Sequence, residues 1–180
     1  MARRMSKKTR LIIVILVIAI VAIVGIALSR NSSSQSDLTL PIITWDETTL
    51  SALEGTPVVL NFWSISCYWC RQQLPYLENV AQLSEGEIKV IAVNIIDNAA
   101  SVQHFFGDYE PTMIIALDKN RKAFVDYCLA YNNTRGGTPF TLFFDSEGVV
   151  QYVKIGAFTS EAQLWDTLGS VFEITVPQTS

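Results

Sequence analysis

Apolar residues occur along this chain in three patterns. Leu11 to Leu28 is an unbroken run of 18 apolar residues and Gly, with no charge. Shorter runs rich in branched side chains occupy Val58 to Phe62, Ile88 to Ile96, Thr112 to Leu117, Thr141 to Phe144 and Val149 to Ile155. These read as strands, and Ile88 to Ile96 reads as a central parallel strand buried on both faces. Between them, apolar positions recur at helical spacing. From Cys67 to about Ser84, Leu74, Leu77, Val80, Ala81 and Leu83 make one apolar side, and Pro75 should kink that helix. Further helices are expected over 99–106, 119–131 and 160–172, with a short one over 49–55. Gly55 and Gly107 act as stops, and Ser160 is an N-cap with Gln163 at the capping-box position. Asp145-Ser146-Glu147-Gly148 is a hairpin turn between the last two strands. Strands alternating with helices give an α/β fold, and the closing hairpin makes the sheet mixed.

The long apolar run changes the domain picture. Eighteen residues are near the lower limit for a membrane-spanning helix. Arg3, Arg4, Lys7, Lys8 and Arg10 precede it, without an acid, which places residues 1–10 in the cytoplasm and the remainder outside. A cleaved secretory signal would have a shorter apolar core and a small-x-small site after it; Ala27-Leu28-Ser29 matches that weakly. An uncleaved single-pass anchor over 11–28, seated in the lipid bilayer of the cell membrane, is the preferred expectation. Residues 29–37 are a Ser-rich linker with nothing to bury, and residues 38–176 suffice for one extracytoplasmic domain.

Charge then excludes one class of partner. Six of the 13 Lys and Arg lie in the first 30 residues, so seven face 17 acids in the remainder. A domain near −10 is a poor partner for nucleic acid, and the charge reads most simply as solubility.

The chemistry resides in Cys67-Tyr68-Trp69-Cys70, between the first core strand and a helix. Two cysteines three apart can close as a disulfide or open as a dithiol. A helix N-terminus, with free N–H groups and positive dipole, stabilises a thiolate there. Cys67 is the expected nucleophile and Cys70 the resolving thiol. A static disulfide of this size removes little loop entropy, so a structural role is poorly rewarded. A zinc site would need two further ligands, and His104 and Cys128 alone remain of the usual soft types. No metal or cofactor is expected. Cys128, between Tyr127 and Leu129, reads as a small buried hydrophobe. Tyr68 and Trp69 cannot both point inward, and one or both can form an apolar platform for substrate; packing of Trp69 onto its own loop is the other reading.

This order of elements, with Cys67-x-x-Cys70 after the first core strand and Thr138-Pro139 before the hairpin, resembles the thioredoxin fold. Asn61-Phe62-Trp63, Pro75 and the segment Pro139 to Gly148 sharpen the match. With the N-terminal anchor and an extra strand–helix unit over about 112–131, the chain resembles a membrane-anchored thiol–disulfide oxidoreductase of the TlpA/ResA type. The resemblance implies a cis Thr138–Pro139 bond beside the pair, with the Thr138 backbone open to an added substrate strand. It also implies a reductant of exported proteins such as apocytochrome c, fed by a membrane thiol transporter of the CcdA/DsbD kind. A disulfide-forming oxidase or isomerase, and a thioredoxin-like binding or chaperone module, are the alternatives. Four positions depart from common family patterns: Ser66 where many members have Trp, Trp69 where many have Pro, Asn61 where thioredoxin has Asp, and Gln73 where some anchored relatives have Glu. Neither usual carboxylate is present to exchange a proton with Cys70.

Overall fold

The computed structural model describes residues 43–44, 53 and 55–173. The expected anchor over 11–28, the linker over 29–37 and the tail from Pro177 lie outside the described residues, as does most of the short helix expected over 49–55. In chain order the elements are β1 (Ile43–Thr44), β2 (Val58–Trp63), α1 (Tyr68–Leu83), β3 (Lys89–Asn94), α2 (Ala99–Phe106), β4 (Ile114–Leu117), α3 (Lys122–Ala130), β5 (Phe140–Phe144), β6 (Val150–Ile155) and α4 (Glu161–Phe172). They form one sheet of order β1-β4-β3-β2-β5-β6. β1, β4, β3 and β2 run parallel; β5 runs antiparallel to β2, and β6 antiparallel to β5. This is the mixed sheet of a thioredoxin fold. The additional β4–α3 unit inserts its strand between β1 and β3.

Successive strand residues point to opposite faces, so β2 supplies two cores at once. Val59 and Trp63 belong to a core closed by Leu74, Leu77 and Val80 of α1, Val102 of α2, and Leu164, Trp165 and Leu168 of α4. Val58, Leu60 and Phe62 belong to the opposite core, closed by Phe124 and Cys128 of α3. Phe62 meets Phe124 edge to face at 5.5 Å and stacks on Phe140 at 6.0 Å. Every residue of β2 and β5 is buried, which explains runs without polar alternation.

Several boundaries differ from the sequence expectation, each for a local reason. β3 ends at Asn94 rather than Ile96, because the Asn94 Oδ1 accepts from the N–H groups of Ile96 and Asp97 and turns the chain. β4 starts at Ile114 rather than Thr112, because the N–H groups of Thr112 and Met113 donate to the Glu78 carboxylate at 2.8 and 3.1 Å instead of to a strand. α3 starts at Lys122 rather than Lys119. Arg121 adopts φ 55° in front of it, and the Asp118 Oδ2 accepts from Phe124 N–H at 2.8 Å. α1 runs through Pro75 without interruption; Pro75 and Arg71, the residue whose carbonyl loses its helical donor, both lie on the exposed side. Ser160 caps α4 by accepting from Gln163 N–H, but the Gln163 side chain reaches back to Thr159 N–H, one residue before the expected capping-box partner. β1 gave no signal in the sequence.

Candidate active site

Cys67 is the N-cap of α1, and Cys70 lies one turn inside the helix. The two are joined by a disulfide, with Cα atoms 5.2 Å apart. They differ in access: Cys70 is 1% exposed, while Cys67 is half-buried. The Cys70 N–H points at the Cys67 sulfur at 3.1 Å. The same N–H serves a thiolate once the bond opens, which favours the charged form of Cys67. On the other side, the Thr138 carbonyl oxygen stands 3.6 Å from the Cys67 sulfur. It is a contact in the disulfide and becomes an acceptor when Cys67 is a thiol. The Thr138–Pro139 bond is cis, as expected. Pro139 is itself buried, and Thr138 beside it is half-buried.

Beneath the pair, Asn61 and Gln73 form a neutral buried network with Thr141. The Asn61 amide on β2 donates to the Thr141 hydroxyl of β5 at 2.9 Å, its register partner across the sheet. The Gln73 amide on α1 donates to the same oxygen at 3.2 Å, and its carbonyl accepts from Phe158 N–H at 2.9 Å. Gln73 follows Cys70 by three residues and shares its buried side of α1. An amide supplies both a donor and an acceptor here without a buried charge.

Above the pair, Tyr68 and Trp69 are 56% and 59% exposed and meet edge to face at 5.1 Å. Of the two readings for Trp69, the exposed one holds. Trp63 is fully buried, packed on Phe105 and Phe106.

A Redoxin family model matches residues 37–168. The chain belongs to the Redoxin family. Among curated relatives, the thioredoxin-like protein YneN of Bacillus subtilis is 30% identical over 129 residues, covering 69% of this chain and 71% of YneN. The thiol-disulfide oxidoreductase ResA of the same organism is 24% identical over 175 residues, covering 94% of each chain. Among solved structures, Bacillus subtilis StoA superposes with a TM-score of 0.51 at 23% identity, covering 62% of this chain and 81% of StoA. A thiol:disulfide interchange protein DsbE from Chlorobium tepidum gives 0.55 at 25% identity, covering 67% and 85%. This Redoxin protein is therefore a TlpA/ResA-type thioredoxin-like thiol–disulfide oxidoreductase.

Some features of the site were not anticipated from the sequence. Ile96 is 56% exposed, on the loop that follows β3. Asp97, next to it, accepts from Ile65 N–H at 2.9 Å and so reaches the turn before Cys67. An open cleft of about 610 Å³ lies there, lined by Ile65, Asp97, Ser101, His104 and Phe105 among others. An acidic residue just past the end of a parallel strand was the available sequence signal. The two remaining soft side chains are well apart in their packing. His104 is exposed on α2, and Cys128 is buried under α3 in the core on the opposite face. Burial pushes the Cys128 thiol up, although the Asn133 side chain opposes it.

Proposed function

We propose that this protein is an exported, membrane-tethered reductant of protein disulfides. Cys67 attacks as a thiolate, and its sulfur forms a mixed disulfide with one substrate sulfur. The other substrate sulfur leaves as a thiolate and takes up a proton. Cys70 then gives up its proton, attacks the Cys67 sulfur and releases the second substrate thiol. Two electrons pass to the substrate, and the Cys67–Cys70 disulfide remains. The observation that carries this reading is the asymmetry of the pair: one sulfur at the surface with an N–H aimed at it, one sulfur buried behind it. Tyr68 and Trp69 give an unfolded segment an apolar surface, and the Thr138 backbone gives it a strand to pair with.

The apolar run over 11–28 and the basic residues before it support tethering with the domain outside the cell. ResA matches over nearly the whole chain, including that segment, which supports a shared layout. The substrate class in this reading is exported proteins such as apocytochrome c, with electrons from a membrane thiol transporter of the CcdA/DsbD kind.

A second reading, disulfide formation, draws on the neutral Asn61–Thr141–Gln73 network. With no carboxylate beneath Cys70, no negative charge there opposes a thiolate in the pair, and a stabilised thiolate makes the disulfide more oxidising. The experiment is the reduction potential of the full-length protein, equilibrated against defined thiol buffers. A value at or below about −250 mV supports the reductant. A value near about −120 mV overturns it in favour of disulfide formation. A thioredoxin-like module without redox turnover predicts that a Cys67→Ser variant keeps full cellular function, and a mixed disulfide trapped on Cys70→Ser excludes it.

A further inference from the structure

The four residues Ser64 to Cys67 make a turn, closed by Cys67 N–H donating to the Ser64 carbonyl at 3.2 Å. Ile65 is its first central residue, and a turn leaves the N–H and C=O of that residue without partners inside it. Here both are taken. The Ile65 N–H donates to Asp97 Oδ2 at 2.9 Å, and the Ile65 carbonyl accepts from the Arg71 guanidinium at 2.6 Å. Asp97 is held in turn by Asn94 Nδ2 at 2.8 Å and by its own N–H on Asn94 Oδ1 at 2.8 Å. Arg71 is anchored at its other end, where its N–H donates to the Cys67 carbonyl at 3.2 Å. One residue of the turn is thus gripped from β3 on one side and from α1 on the other, two positions before the surface sulfur.

Both grips are charged, and among the described residues no ion pair includes Arg71 or Asp97. Arg71 is exposed, and a long exposed side chain is held in one place only by what it bonds. The Ile65 carbonyl therefore fixes a positive charge against the turn that carries Cys67. Asp97 fixes a negative one on the far side of the same residue. The other titratable or charged groups on the elements packed here are Cys70 in the pair, exposed Tyr68 next to Cys67, His104 in the cleft lining with Asp97, and exposed Arg135, three residues before Thr138 in the chain. The cis-proline side presents a neutral carbonyl.

We propose that Arg71 and Asp97 are positioning residues for Cys67: through the Ile65 peptide they hold its turn, and with opposing charges they set how much of it is thiolate. This rests on Cys67 being the attacking sulfur. Arg71 favours the thiolate and Asp97 disfavours it.

The test is the pH dependence of alkylation of Cys67 in the reduced full-length protein, followed by mass spectrometry of the Cys67 peptide. Arg71→Gln raises the apparent pKa by about half a unit to one unit, so thiolate at mildly acidic pH falls roughly three- to tenfold. Arg71→Lys keeps the charge and stays near the native profile. Asp97→Asn keeps an acceptor for Ile65 N–H and moves the profile the other way. The double variant Arg71→Gln with Asp97→Asn returns toward the native value, although both grips are weakened; a purely structural role would make the two changes add as damage. An unmoved profile in Arg71→Gln, equal shifts in Arg71→Gln and Arg71→Lys, or a double variant worse than either single one overturns the proposal. Alkylation of the native protein at Cys70 in place of Cys67 would instead overturn the reading of the site on which it rests.

Discussion

Glu78 is the one carboxylate that α1 buries, and replacing it with Gln tests how the β4–α3 unit is joined to the sheet. Its Oε1 accepts from Thr112 N–H at 2.8 Å, Tyr109 hydroxyl at 3.0 Å and Gln82 Nε2 at 2.9 Å. Its Oε2 accepts from Met113 N–H at 3.1 Å, in a buried setting. Glu78→Gln keeps the volume but turns one of these oxygens into a donor. It also makes the remaining hydrogen bonds neutral. Hydrogen bonds to charged groups are worth roughly 1.5–3 kcal/mol each, and a buried N–H left facing another donor costs about 1–3 kcal/mol. The variant should lose about 2–4 kcal/mol at pH 7, a shift of about 1–2 M in the urea midpoint. The loss should also depend on pH. Burial alone would raise the Glu78 carboxyl, but the N–H groups of Thr112 and Met113 and the Tyr109 hydroxyl outweigh it and hold the group below its ordinary value of 4.5. A carboxyl lowered in the folded state contributes stability above its unfolded pKa and loses it as pH falls through the folded one. The gap between native protein and Glu78→Gln should therefore be full at pH 6–7 and narrow progressively below about 4.5. Urea unfolding at several pH values measures the gap, and hydrogen exchange at Thr112 and Met113 locates it. Equal stability at pH 7, or a gap that stays constant down to acid unfolding, would refute the reasoning.

Two further outcomes follow from the buried groups around the pair. Gln73→Glu places a carboxyl where nothing charged compensates it. Its folded pKa should rise, so stability should be near native below the unfolded pKa and fall by about 2 kcal/mol or more as pH rises through the folded value; a gap independent of pH in thermal unfolding would contradict this. Cys128 should resist alkylation in the folded, reduced protein at pH 8, because burial raises its thiol, and react on unfolding. Labelling of Cys128 as fast as Cys67 in mass spectrometry would contradict that.

Much of this fold was legible because its strongest signals are local. Unbroken apolar runs mark β2, β3 and β5 because both of their faces are covered, and helical spacing marks α1 and α4 because each covers one face. Cys67 and Cys70 were legible for the same reason, because a four-residue motif carries them, whereas the cis Thr138–Pro139 bond was legible through the family resemblance. What was not legible depends on side chains that take backbone hydrogen bonds away from the regular pattern. Glu78 removes Thr112 and Met113 from β4, Asn94 removes Ile96 from β3, and Asp118 moves the start of α3. No periodicity records such side-chain substitutions, whose acceptor lies from 2 to 34 residues from the donor. The two-residue β1 is too short to carry a pattern, and Arg71 and Asp97 reach the same peptide only because α1 starts, and the loop after β3 passes, beside the Ser64–Cys67 turn.

The polar groups around the redox pair are divided by solvent. On the dry side, Asn61, Gln73 and Thr141 are almost completely buried and carry hydrogen bonds but no charge. On the wet side are two charged side chains, exposed Arg71 and half-buried Asp97, the latter in the lining of an open cleft. An unpaired charge on the dry side would act on the sulfurs through a low effective dielectric, but the fold would bear the cost of burying it. A charge on the wet side acts more weakly and costs the fold little. With amides at Asn61 and Gln73, no carboxyl titrates beneath the pair. What tuning of the sulfur remains is moved to groups that salt can screen. The consequence is measurable: the apparent pKa of Cys67 should respond to ionic strength over the range in which the Debye length falls from about 10 to 3 Å. A buried carboxylate beside Cys70 would be far less sensitive to the same change.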